Sequence, residues 1–155
     1  MKKSNGLPQN AAWINPYLVC RSVEASLDFY ERAFGFRKLD AIPGPDGKIM
    51  HATMGWKDGV LMLSPESAQG PMKTPDSSGA IPPFTLYVYC EDVDALCRQA
   101  REAGAYIHRE PEDMFWGDRI CDLKDLDGYY WSFATKVGEF DPSMIPDSMK
   151  ATTNP

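Results

Sequence analysis

The sequence predicts an α+β fold of two tandem β-α-β-β-β modules arranged around a cleft. Three observations carry this. An amphipathic helix pattern occurs twice, each copy is preceded by one strand-like run and followed by three, and the landmarks keep their spacing. Val23 and Val93 lie 70 residues apart, as do Cys20 and Cys90. The helix-stopping glycines Gly35 and Gly104 each precede a turn glycine, Gly59 and Gly128, by 24 residues.

The elements follow in order. Residues 1–12 are polar and pattern-free, a flexible tail. Residues 13–20 (WINPYLVC) read as a strand, with Pro16 confining it to an edge or an irregular start. Ser22 caps a helix whose Val23, Leu27, Tyr30 and Phe34 form one apolar face, and Gly35 ends it. Residues 36–42 are a second strand, and the run Pro43-Gly44-Pro45-Asp46-Gly47 is a turn. Residues 48–56 and 60–64 make a hairpin turned at Asp58-Gly59. Residues 65–83 are rich in Ser, Gly and Pro and read as a linker. Residues 84–90 then repeat the first strand. Asp92 caps a helix with Val93, Leu96, Cys97 and Ala100 on one face, and Gly104 stops it. Residues 105–109 form a strand, and 115–135 a hairpin turned at Asp127-Gly128, a dipeptide suited to a tight turn. The single domain spans 13–137, with module one at 13–64 and module two at 84–137. Residues 138–155 are a tail.

Bulk properties narrow the function. A chain of 155 residues with 43% hydrophobic and 25% charged residues is that of one globular domain. A formal charge of −6 excludes a basic nucleic-acid surface. No apolar run reaches the length of a membrane span. Cys20, Cys90, Cys97 and Cys121 form no C-x-x-C pair, and with only His51 and His108 there is no zinc-finger spacing. No apolar segment follows Lys2 and Lys3 as in a secretory signal, so the expected compartment is cytoplasmic, with free thiols.

Several motifs carry a family resemblance. In the first module they are Ser26-Leu27-Asp28-Phe29-Tyr30 and Phe34-Gly35-Phe36. In the second they are Glu102-Ala103-Gly104-Ala105 and Asp125-Leu126-Asp127-Gly128. With the tandem pattern, they resemble the vicinal-oxygen-chelate superfamily of glyoxalases, bleomycin-resistance proteins and dioxygenases. His51-Ala52, Val60-Leu61-Met62-Leu63-Ser64 and Phe115-Trp116-Gly117-Asp118-Arg119 look like its PhnB-like branch.

The resemblance implies four metal-ligand positions, at the first and last strand of each module. Here they carry Asn15, Met62, Thr85 and Ser132. None is a His or a carboxylate, so a divalent ion lacks both charge neutralisation and basic donors. The implied protein is metal-independent, needs no cofactor, and is a homodimer holding a small organic ligand, aromatic or amphipathic, in the inter-module cleft. Membrane and nucleic-acid partners are not expected.

The residues themselves offer further candidates. Imidazole suits acid–base chemistry at neutral pH, so His51 is the candidate general base, against a hydrogen-bonded or partly exposed histidine. Arg119 offers a planar fork for a carboxylate or phosphate, and Asp118 a group to orient it or a substrate. The competing reading is an Arg-Asp pair that pins the loop before the seventh strand. Gly117 permits close backbone approach to a ligand. Phe115, Trp116, Tyr87 and Trp131 are candidate aromatic walls, each also explicable as packing. The leading expectation is therefore sequestration of a small molecule. The first alternative is a lyase, isomerase or dioxygenase-like enzyme using His51 and Arg119, and the second is an accessory protein with a filled cleft.

Overall fold

The structure, a computed structural model, describes residues 6–150. The first module comprises β1 (Tyr17–Cys20), α1 (Val23–Phe34), β2 (Arg37–Pro43), β3 (Ile49–Trp56) and β4 (Gly59–Pro65). A short helix, α2 (Pro75–Ser78), lies in the connection. The second module comprises β5 (Leu86–Tyr89), α3 (Val93–Glu102), β6 (Tyr106–Asp113), β7 (Asp118–Lys124) and β8 (Tyr130–Lys136). Each module is a four-stranded sheet, ordered β1-β4-β3-β2 and β5-β8-β7-β6. In each, the first strand runs parallel to the last and the other pairs are antiparallel. The predicted tandem repeat is the observed fold.

Local chemistry explains the helix limits. Ser22 Oγ accepts from Ala25 N at 3.2 Å, and Asp92 Oδ1 accepts from Ala95 N at 2.9 Å. Each satisfies an amide with no partner inside its helix. Gly35 at φ 71° closes α1 and donates to the Glu31 carbonyl at 3.1 Å.

Cross-strand register assigns the faces. In the first sheet Leu18, Leu63, Ala52 and Ala41 are aligned on the helix side, and Tyr17, Met62, Thr53 and Asp40 on the other. In the second, Leu86, Trp131, Leu123 and Ile107 face the helices, and Tyr87, Ser132, Asp122 and Arg109 face away. Helices α1 and α3 pack on each other, and both helix-side faces share one core. Phe34 joins the modules, its ring 4.6 Å from Phe133 and 5.0 Å from Trp131. Phe29, Tyr30, Phe36 and Met54 complete that core, each large side chain contributing about 2 kcal/mol through burial.

The modules therefore meet through their helix-covered faces. The aromatic bulk lies on the helix side, so hydrophobic burial is greatest there. The opposite faces stay open, with Tyr17, Tyr87, Tyr89 and Tyr106 all exposed.

Four local expectations are revised. Residues 13–16 are not strand; the Asn15 side chain instead bonds both the Ala12 amide (2.8 Å) and the Ala12 carbonyl (2.6 Å). The β3–β4 turn places Lys57 at φ 54°, so a lysine takes the left-handed position in place of Gly59. The β7–β8 connection is a five-residue loop, 125–129, because the Asp125 carboxylate holds the amides of Asp127 and Tyr129 at 3.0 Å each. The linker is docked as well: Asp76 N donates to the Asp127 carbonyl at 3.0 Å, and Thr74 is fully buried.

All four cysteines are free, with Cys20, Cys97 and Cys121 buried. Burial pushes the Cys20 thiol up to about 12, so it is an inert packing group. Among the described residues no helix is long and apolar enough to cross a membrane.

Candidate ligand groove and the open sheet faces

A groove of about 360 Å³ lies between the modules. The β3–β4 hairpin contributes Met54, Trp56, Val60 and Leu61, and β5 contributes Leu86 to Tyr89. Ile14 and Pro16 flank it, and Phe36 and Trp131 border it. Strand β5 is an edge strand, so among the described residues its outer side has no ladder partner. Trp56 reaches across to it, its indole Nε1 donating to the Tyr89 carbonyl at 3.0 Å while its ring stacks on Phe36 at 5.6 Å. The walls are apolar and aromatic with few polar groups, the composition of a small-molecule pocket.

The open face of the second sheet carries a compact polar and aromatic cluster. Asp118 is 3% exposed and accepts from the hydroxyls of Tyr87 (2.8 Å) and Tyr89 (2.9 Å). Trp116 Nε1 donates to Tyr87 Oη at 3.3 Å. Burial, ahead of the nearby carboxylate, pushes the Tyr87 hydroxyl up to about 12, so it stays a proton donor. Phe115 stacks edge-on against Trp116 at 5.0 Å and meets Phe140 at 6.0 Å, while its carbonyl accepts from Asp141 N at 2.7 Å. Phe115 thus anchors the segment after β8.

On the first sheet's open face His51 has both ring nitrogens engaged. Tyr17 Oη lies 3.1 Å from Nδ1, and Thr53 Oγ1 lies 3.5 Å from Nε2. Thr53 in turn donates to Asp40 at 3.0 Å, giving a line of polar groups across three strands. His108 is exposed and stacks on Tyr130 at 5.2 Å.

Arg119 sits elsewhere than a ligand anchor requires. It shares strand parity with Cys121 and Leu123, so its side chain lies on the helix side. It bonds Asp94 through Nε (2.8 Å) and Nη2 (2.9 Å), and Asp113 through Nη1 (2.9 Å). These bonds hold the Asp94 carboxyl below its ordinary range and raise the guanidinium further. Asp118 points to the other face and does not orient Arg119. The close approach at Gly117, φ +93°, is made by the chain itself: a Cβ there would strike the Gly138 carbonyl, and Gly117 O accepts from Val137 N (2.9 Å) and Gly138 N (3.0 Å). Trp131 is 2% exposed and belongs to the core, reaching the groove only as its border.

Trp56, Leu86 and Tyr89 were not among the expected site residues, because the Trp56–Tyr89 contact that brings them together spans 33 residues. The expected site also missed the module junction around Asp125. That carboxylate accepts from Tyr30 Oη (2.7 Å), Trp131 Nε1 (2.8 Å) and two amides. Burial raises its pKa, and those four donors oppose the rise. Asp127 adds a link to Arg21 Nε at 2.9 Å and to Ser26 Oγ at 3.1 Å, joining the β7–β8 loop to module one.

The family's metal positions do not fit a divalent ion. Asn15 is spent on Ala12, and Ser132 Oγ donates to Asp122 at 2.6 Å with Thr85 Oγ1 3.3 Å away. Met62 supplies a thioether, a soft donor. Among the described residues no three His, Cys, Asp or Glu side chains converge as a metal-holding group.

Two mixed sheets of repeated β-α-β-β-β design with an apolar groove between them define a ligand-cleft class of fold. Residues 11–133 match the family model of the Glyoxalase/Bleomycin resistance protein/Dioxygenase superfamily, and the chain belongs to that superfamily. An uncharacterized protein of Mycobacterium bovis is 35% identical over 141 residues, covering 89% of this chain and 92% of that one. The crystal structure of TioX from Micromonospora sp. ML1 superposes with a TM-score of 0.65 at 26% identity, covering 82% of this chain and 100% of that one. TnmS3, an antibiotic binding protein from Streptomyces sp. CB03234, shares the fold with a TM-score of 0.59 at 23% identity, covering 79% and 93%.

Proposed function

We propose that this protein binds a small apolar or aromatic organic molecule in the inter-module groove, sequestering it without a resident metal. The observation that carries the proposal is the 360 Å³ groove, walled by Trp56, Tyr87 and Tyr89 and bordered by a well-packed core. Pockets of a few hundred cubic ångströms with apolar walls suit drug-sized ligands. The fold is one that also serves the antibiotic binding protein TnmS3. The neutral donor set at Asn15, Met62, Thr85 and Ser132 supports metal independence. A homodimer is part of the proposal, because β1 is an edge strand and the face beside it exposes Tyr17.

Native mass spectrometry of freshly purified protein tests these elements together. The expected spectrum shows a dimer, no bound transition metal, and a small organic adduct or its uptake from an added aromatic library. Stoichiometric tight binding of zinc, nickel or iron(II) sinks the metal-free reading.

A second reading, an enzyme with His51 as base, has the Tyr17–His51 contact in its favour. Arg119 does not join it, being bound to Asp94 and Asp113. Under this reading a turnover found by substrate screening disappears in His51→Ala. The third reading, a cleft filled by its own side chains, is opposed by the groove's volume.

A further inference from the structure

We propose that Tyr87, Tyr89, Trp116 and Asp118 form a subsite for an organic ammonium group, so that the ligand of the groove carries a positive charge. This deepens the small-molecule reading and rests on it, since Tyr87 and Tyr89 line both the groove and the cluster.

The argument begins with Asp118. Its carboxylate is 3% exposed and accepts two hydrogen bonds, both from neutral phenols. Its cross-strand neighbour Lys136 is paired with Glu139, and among the described residues neither it nor any other Lys, Arg or His nitrogen lies within ion-pair distance of Asp118. Arg119, its chain neighbour, is committed on the opposite face to Asp94 and Asp113. A carboxylate taken out of water without a cation is costly unless something later compensates it. The two phenols satisfy its hydrogen-bonding valence but bring no positive charge to it.

The covering surface has the matching chemistry. Tyr87 is 42% exposed, Tyr89 57% and Trp116 36%, so each presents ring surface to solvent. The two tyrosine rings meet at 5.6 Å and 63°, forming a corner, and the Trp116 indole is tied to Tyr87. Aromatic faces attract cations through their quadrupole, and a phenol donating to a carboxylate becomes more electron-rich, which strengthens that attraction. A compact, strongly hydrated ion gains too little here to replace its water. An alkylated ammonium, weakly hydrated and apolar at its rim, gains both the ring contacts and the field of Asp118. The chain's net charge of −6 favours the approach of such a ligand.

The test uses the intact protein, choline as the cation and 3,3-dimethylbutan-1-ol as its uncharged isostere, followed by NMR on the Trp116 indole and the Tyr87 and Tyr89 rings. The proposal expects choline to shift these resonances and to bind about tenfold or more tightly than the isostere, the span of a desolvated cation–π site. Asp118→Asn should lower choline affinity about tenfold. The exposed Trp116→Leu, a variant with little folding risk, should weaken it too. Equal binding of choline and the isostere overturns the subsite, as does silence at these three residues or an unchanged affinity in both variants. Retention of neutral aromatic ligands at Trp56 in such a case would sink the cation site alone and leave the groove standing.

Discussion

Asp118 and Arg119 are adjacent in the chain yet serve opposite faces of the second sheet. Asp118 lies under Tyr87 and Tyr89 on the open face, while Arg119 grips Asp94 of α3 on the helix side. A motif that reads as one functional unit thus divides into a carboxylate held by two tyrosine hydroxyls and an arginine that fastens a helix to its sheet.

Substitution separates the two. Arg119→Ala should lower the thermal midpoint by releasing α3 from β7, and Arg119→Lys should restore it only in part, because a lysine cannot reproduce the two-nitrogen grip on Asp94. Ligand affinity should stay within about twofold, as expected of sites without a shared partner. Thermal melts and a binding titration on the same samples check both halves. A large loss of affinity with unchanged stability would return Arg119 to the binding site.

Tyr30→Phe removes one of four donors to the buried Asp125 carboxylate. The expected cost is about 1–3 kcal/mol, the penalty of leaving a buried acceptor short of a partner. Urea unfolding measures it, and a loss below a few tenths of a kcal/mol would show that the junction is not held through this bond.

The same carboxylate predicts a pH dependence. Burial raises the folded-state pKa of Asp125 above the unfolded value, so the folded form holds its proton more tightly. Its contribution to stability is therefore full below the ordinary aspartate range and declines as pH rises through the raised value. Asp125→Asn lacks this titration. The stability of the parent protein relative to Asp125→Asn should accordingly fall as pH rises above the ordinary aspartate range in paired urea unfolding curves. A difference that grows with pH contradicts the assignment.

Gly117→Ala meets both a positive φ and the Gly138 carbonyl. The strain costs about 1–3 kcal/mol unless the segment after β8 moves away. Thermal melts should show the loss, and limited proteolysis should show faster cleavage beyond Gly138. Unchanged melting and cleavage would mean that the tail does not depend on this contact.

The tandem fold was legible because both helices announce themselves by caps and apolar stripes and the repeat fixes the strands around them. The split between Asp118 and Arg119 was also within reach, since Cys121 and Leu123 mark the buried parity and Arg119 shares it. The groove was not. It is closed by Trp56 crossing to an edge strand 33 residues away, a tertiary contact with no local pattern. The five-residue loop at Asp125 was equally hidden, because the Asp-Gly dipeptide suggests a tighter turn and only the folded chain shows Asp125 collecting donors from Tyr30 and Trp131.

The most direct test of the account is an NMR screen of small aromatic molecules against the intact protein, read at the Trp56 indole N–H that donates to Tyr89. The account predicts that binders shift this resonance together with those of Leu86, Tyr87 and Tyr89. Binders that leave Trp56 unmoved and cluster elsewhere, or a library with none, would contradict it.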